Sequence, residues 1–132
     1  MIAVDTNLIA YFFIPGEYTP IAELVFEADG DWAAPALWRS EFRNILALYL
    51  RQGLLELPTA KQIMSEAELL VKDEFEINSN LVLDLVATKS VSAYDAEFVV
   101  LARELSLLLL TNDRKILRNF GELAVSFQDF LT

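Results

Sequence analysis

The chain has 132 residues, the length of one ordinary domain, and carries 20 Asp plus Glu against 10 Lys plus Arg, a formal charge of −10. The absence of Cys excludes disulfides, thiolate nucleophiles and cysteine-ligated metals, and the absence of His excludes an imidazole base, a serine-histidine triad and an ordinary zinc site. Acid, base or metal chemistry must fall mainly to carboxylates, and a polyanionic substrate would need a local basic rim and cations to offset the field.

Hydrophobic residues make up 55% of the chain, yet apolar stretches such as Leu107 to Leu110 fall far short of the roughly 20 residues that cross a bilayer. No basic segment precedes the first apolar one, as a signal peptide would require. The expectation is a single soluble, cytoplasmic domain over residues 1–132, with no membrane association.

Ile2-Ala3-Val4 is apolar without alternation, as in a strand buried on both faces of a parallel sheet, and it breaks into Asp5-Thr6-Asn7. Leu8 to Ile14 predicts a short buried helix ended by Pro15-Gly16, with Asp5, Thr6 or Asn7 available as its cap. Thr19-Pro20 predicts an N-cap and first helical position, followed by Ile21, Leu24, Val25 and Ala28 at helical spacing. Asp31 to Pro35 reads as a short strand, and Ala36 to Gln52 as a long helix stopped by Gly53. Thr59 and Gln62 have capping-box spacing and open a helix to about Lys72. Ser79 or Asn80 is expected to cap the next helix, through Leu81, Leu85 and Val86. Ser92 and Asp95 form another capping-box pattern, leading into Phe98, Val99, Ala102 and Leu105. Leu107 to Thr111 reads as a second central strand ending in Asn112-Asp113. A short basic helix from Arg114 to Asn119, a small strand Ala124 to Ser126 and a last helical turn complete the chain. Strands alternating with helices predict a three-layer α/β domain with a central parallel sheet flanked by helices.

Ligands in open α/β sheets bind beyond the carboxyl ends of strands, where Asp5 and Asp113 fall. Asp95 heads the apolar stripe of the helix preceding the second strand. Glu41 shares a helix face with Leu37, Trp38, Asn44, Ile45 and Leu48. Each carboxylate alone is explained by capping or by a structural ion pair. Together they would repel: two charges about 4 Å apart cost on the order of 4 kcal/mol at an effective dielectric near 20. Such a set either takes up protons or binds cations, and an oxygen-only pocket suits Mg²⁺ or Mn²⁺.

Val4-Asp5-Thr6-Asn7, Trp38-Arg39-Ser40-Glu41-Phe42-Arg43-Asn44, Ser92-Ala93-Tyr94-Asp95-Ala96-Glu97 and Leu109-Leu110-Thr111-Asn112-Asp113 resemble, in order and spacing, the acidic motifs of PIN-domain nucleases. The resemblance spans nearly the whole chain and is closest to the VapC-type toxins of prokaryotic toxin–antitoxin pairs. It implies a PIN-like fold and a metal-dependent endoribonuclease in which a metal-activated water hydrolyses RNA phosphodiester bonds. By the same resemblance Asp5, Glu41, Asp95 and Asp113 are the catalytic, metal-holding acids for one or two Mg²⁺ or Mn²⁺ ions, Asp113 being the family's most variable position. With Asp5 at the centre of a cation site, capping of the first helix is left to Thr6 or Asn7. Thr6, Asn7, Thr111 and Asn112 are candidates to orient the acids, or are simply turn and cap residues. Arg39 and Arg43, and the cluster Arg114, Lys115 and Arg118, are candidates for RNA phosphate contacts. The resemblance further implies a homodimer and a small antitoxin whose segment covers the acidic site. An apolar excess including Tyr11, Phe12, Phe13, Tyr18 and Tyr49 agrees with a partner surface.

Two other readings fit parts of the chain. A haloacid-dehalogenase-like phosphatase also begins with a strand ending in Asp, but usually has a second Asp where Asn7 stands and has no use for Glu41. A non-catalytic partner-binding domain is the third.

Overall fold

The computed structural model describes all residues from Met1 to Thr132. Four short strands, β1 (Ile2–Val4), β2 (Trp32–Ala33), β3 (Leu109–Leu110) and β4 (Ala124–Val125), form one sheet in the order β2-β1-β3-β4. Every pairing is parallel, with Ile2 opposite Trp32, Ala3 opposite Leu109, and Leu109 opposite Ala124. Parallel neighbours need crossover connections, and seven helices lie in them: α1 (Thr6–Phe13), α2 (Thr19–Ala28), α3 (Leu37–Arg51), α4 (Leu57–Leu70), α5 (Ser79–Thr88), α6 (Ala93–Glu104) and α7 (Arg114–Asn119); α8 (Phe127–Leu131) follows the last strand. The α/β class and the helix-flanked parallel sheet expected from the sequence are both present.

All residues of β1 and β3 are buried, as their unbroken apolar runs require. Trp32, Trp38, Phe42, Phe120 and Phe127 fill the core without measurable exposure. One group of helices packs through α1 against α2, α3 and α4, while α6 packs on β1 and β3 and carries α5. No helix is long and apolar enough to cross a membrane.

The second central strand, β3, is shorter than its apolar run. Leu107 and Leu108 precede β3, and Leu108 is 45% exposed. Lys72, expected in the end of α4, instead follows it and makes an isolated parallel bridge to Ala33 at the sheet edge.

Several caps also differ from expectation. Thr19 is the first residue of α2 and not its cap; its hydroxyl donates to the Tyr11 carbonyl at 2.8 Å and accepts from the Gly16 N–H at 3.0 Å. Helix α4 starts at Leu57, before Thr59, so the expected box does not form, and Gln62 donates to Glu66 one turn on. Asn78 caps α5, its side chain accepting from the Asn80 and Leu81 amides. Ser92 caps α6 as expected, accepting from the Asp95 N–H. Gly53 ends α3 with φ +72°, the left-handed conformation that favours glycine.

Candidate active site

The carboxyl ends of β1 and β3 lie side by side, so the residues that follow them are brought together. The Asp5 N–H donates to the Leu110 carbonyl at 3.2 Å, the last rung between the two strands. Beyond it the chain turns into α1, and the Asp5 side chain is the N-cap: Oδ1 accepts from the Leu8 N–H at 2.9 Å. Its other oxygen, Oδ2, accepts from the Thr111 hydroxyl at 2.8 Å, reaching across from the end of β3. Asp5 is therefore itself the cap of α1, which corrects the assignment of the cap to Thr6 or Asn7. Both oxygens are oriented by the protein before any ligand arrives.

Thr111 is wholly buried and uses its hydroxyl twice, donating to Asp5 and accepting from the Asp113 N–H at 3.1 Å. Asp113 caps α7, its Oδ1 accepting from the Ile116 N–H at 3.0 Å. Thr6, also buried, donates from its hydroxyl to Glu41 Oε1 at 2.7 Å, tying α1 to α3. Both threonines thus hold acidic side chains in place.

Asp5, Glu41, Asp95 and Asp113 line one cavity of about 300 Å³, together with Thr6, Asn7 and Thr111. Its remaining walls are Asn44 and the apolar Ile45, Phe98, Leu109 and Ile116. Glu41 reaches the cavity from the row of α3 beside the buried seam of Trp38, Phe42 and Leu46. That row runs outward, since Leu48 is 47% exposed, so Glu41 stands at the rim of the core and not inside it.

Electrostatics reflect the crowding. Burial is the main reason the Asp5 carboxyl is pushed up from 3.8 to about 6; Asp113 and Glu41 add to the rise, and the Leu8 and Thr111 hydrogen bonds oppose it. Glu41 is raised by burial and by Asp95, against the pull of Thr6. Asp95 is raised by burial and by Asp113, partly offset by the Ser92 hydroxyl and Lys115. Glu97, which was not among the candidates from the sequence, is raised by burial and by Glu41. Its only sequence signal is its place two residues after Asp95, on a different side of α6.

The donor set is all oxygen and its negative charge is only partly offset, by Lys115 near Asp95, which fits a hard divalent cation. No three acidic side chains already converge on a single point. That spacing also fits Mg²⁺, which is usually held by one or two carboxylates while water and phosphate oxygens complete its shell.

Other sequence candidates lie elsewhere. The Asn112 side-chain oxygen accepts from the Phe127 N–H at 3.0 Å, fastening β3 to α8 away from the cavity lining. Arg39 is committed to Glu68 and Asp73, and the Trp38 indole N–H donates to the same Asp73 at 2.9 Å. Arg39 thus clamps α3 to the end of α4, a structural role the sequence did not suggest for this candidate RNA contact. Arg43, Arg114, Lys115 and Arg118 are exposed and make no ion pair within the chain.

Residues 2–123 match the sequence profile of the family described as "PIN domain". The chain belongs to the PIN domain family. Three solved structures have the same fold: PAE2754 from Pyrobaculum aerophilum (19% identity, TM-score 0.79, 98% of this chain and 90% of that one), a toxin–antitoxin complex from Klebsiella pneumoniae (15%, 0.68, 96% and 98%) and FitAcB from Neisseria gonorrhoeae (19%, 0.68, 96% and 96%). Among curated proteins there is no significant match. Membership in the PIN family sets aside the haloacid-dehalogenase reading. PIN domains are generally nucleases and generally use divalent metals.

Proposed function

We propose that this PIN domain is a metal-dependent endoribonuclease, the toxin of a VapBC-type toxin–antitoxin pair, acting as a soluble cytoplasmic protein. One observation carries the reading: carboxylates from four separate places in the chain line one small cavity, and three of them have their proton affinity raised by burial and by each other. The likeness in fold to the Klebsiella toxin–antitoxin complex supports the biological setting.

In this reading Asp5, Glu41, Asp95 and Asp113 hold one or two Mg²⁺ or Mn²⁺ ions. Such a cation, when bound, lowers the pKa of a water molecule and offsets charge on phosphate oxygens. The chain's own residues supply the rest. Leu8 and Thr111 fix Asp5, and Thr6 fixes Glu41. The amides of Asn7 and Asn44, both exposed in the cavity lining, are donors for phosphate oxygens. Phe98, Leu109 and Ile116 form apolar wall that limits water. Hydrolysis joins the water oxygen to phosphorus and breaks the bond to one ribose oxygen, and the proton the water gives up balances the one the ribose oxygen takes as it leaves.

Arg43, Arg114, Lys115 and Arg118 are the free cations assigned to flanking phosphates, and Lys115 lies near enough to act on Asp95. An antitoxin segment covering the cavity and a second copy of the chain are the proposed protein partners. The test is cleavage of structured and unstructured RNAs with Mg²⁺, Mn²⁺ or EDTA, for wild type, Asp5→Asn and Asp95→Asn. Divalent-dependent cleavage lost in both variants is expected. Cleavage in EDTA, or full activity in both variants, would overturn the proposal.

A further inference from the structure

Next to the acidic cavity lies a second hollow, of about 250 Å³, and the two share Asn7 and Ile45 in their walls. Three tyrosines from different helices line it: Tyr11 on α1, Tyr18 at the start of α2 and Tyr49 on α3. The Tyr11 and Tyr18 rings are 4.8 Å apart between centroids, and Tyr18 is 52% exposed. No protein group engages any of the three hydroxyls. The only charged residue in the lining is Glu17, so no cation there would attract a phosphate.

We infer that this tyrosine-lined hollow is a nucleobase subsite, which receives one unpaired base of an RNA nucleotide flanking the phosphate to be cut. The inference rests on the proposed ribonuclease function and deepens it by assigning one base beside the cleavage point to a particular place on this chain. Three observations favour a base as occupant. The hollow adjoins the acidic cavity, with Asn7 and Ile45 lining both, so a base on the next nucleotide is within reach of it while the phosphate lies among the carboxylates. The lining offers aromatic faces and free hydroxyls, the chemistry that stacks a base and reads its edge. With a net charge of −10 and an acidic residue as the only charge in the hollow, binding must draw on neutral contacts, because phosphate contacts there are repulsive. The hollow holds one ring system and no duplex, so a paired nucleotide must be unstacked to enter.

The experiment crosses protein with substrate. An RNA oligonucleotide cleaved by the wild type is prepared intact and with an abasic residue on one or the other side of the scissile phosphate. Each form is cut by wild type, Tyr18→Ala and Tyr18→Phe; Tyr18 is half-exposed, so its loss leaves the core packed. Stacking on one aromatic residue predicts roughly a five-fold or greater loss of kcat/KM for Tyr18→Ala on intact RNA. Tyr18→Phe keeps most of the activity, and Tyr18→Ala and wild type become equal on one of the abasic substrates. An equal loss on intact and abasic RNA, or no loss at all, would overturn the inference while leaving the nuclease reading in place, and would give the hollow to a protein partner. Failure of the wild type to cut any RNA with Mg²⁺ or Mn²⁺ would instead overturn the nuclease reading, and the subsite with it.

Discussion

Replacing Asp5 by Asn is expected to stabilise the metal-free protein at neutral pH, although it removes a residue of the proposed site. In the folded chain burial pushes the Asp5 carboxyl from 3.8 to about 6. Between these two values the folded state holds a proton that the unfolded state has released, so stability falls as pH rises through this window and is lowest above it. Keeping the ionised form in place at neutral pH therefore costs about 3 kcal/mol. Asn has the same shape, and its oxygen still accepts from the Leu8 N–H; the Thr111 hydroxyl loses its acceptor on Asp5, a hydrogen bond worth about 1 kcal/mol. The net gain is about 2 kcal/mol, or roughly 7 °C in Tm for a domain of this length. Thermal unfolding in EDTA would be followed by circular dichroism for both proteins from about pH 4 to about pH 8. At the acid end wild type should be slightly the more stable, the two curves should cross as pH rises from 3.8 towards about 6, and the full separation should be reached above about pH 6. Equal stability at neutral pH, or a less stable Asp5→Asn, would show that Asp5 is not a buried carboxylate held against its own desolvation.

Thr111→Val keeps the volume of a fully buried side chain but deletes the donor to Asp5 and the acceptor for the Asp113 amide. It should lower stability by about 2 kcal/mol in urea titration and move the Asp5 transition to higher pH. Arg39→Ala should cost about 1–2 kcal/mol by opening the clamp to Glu68 and Asp73, with RNA cleavage per folded molecule unchanged. Because Arg39 holds the Asp73 carboxyl below the usual carboxylate range, that stabilisation is present above the ordinary Asp value and fades as pH falls through the lowered one. Lys115→Ala should do the reverse of Arg39→Ala, leaving stability nearly unchanged while raising KM for RNA several-fold and pushing the Asp95 carboxyl higher.

The sheet and the acidic cavity were legible in the sequence because each rests on local patterns. The unbroken apolar runs Ile2 to Val4 and Leu107 to Leu110 mark buried parallel strands, and polar residues directly after such strands fall at one edge of the sheet. The match of α7 to the predicted Arg114 to Asn119 also follows from a local signal, the cap Asp113. Caps were less legible where several suitable residues adjoin: Asn78, Ser79 and Asn80 have similar chemistry, and only the backbone's entry angle selects Asn78. Contacts between distant residues left no local trace. Arg39 looked like a free cation one turn from Arg43, but its partners Glu68 and Asp73 are 29 and 34 residues away. Asn112 looked equivalent to Asn7, yet the turn after β3 sends it to the Phe127 amide. The Tyr11, Tyr18 and Tyr49 hollow depends on the packing of three helices, so composition alone could suggest only a partner surface.

A cation site built by Asp5, Glu41, Asp95 and Asp113 can be probed without any substrate, by calorimetric titration with Mn²⁺. At about pH 6 wild-type binding should release protons, because Asp5 is half-protonated there in the absence of a cation. The heat should therefore vary with the ionisation enthalpy of the buffer, and Asp5→Asn and Glu41→Gln should each weaken binding by tenfold or more. Binding of Mn²⁺ with the same affinity in both variants, or no binding by the wild type, would contradict a site made by these four acids.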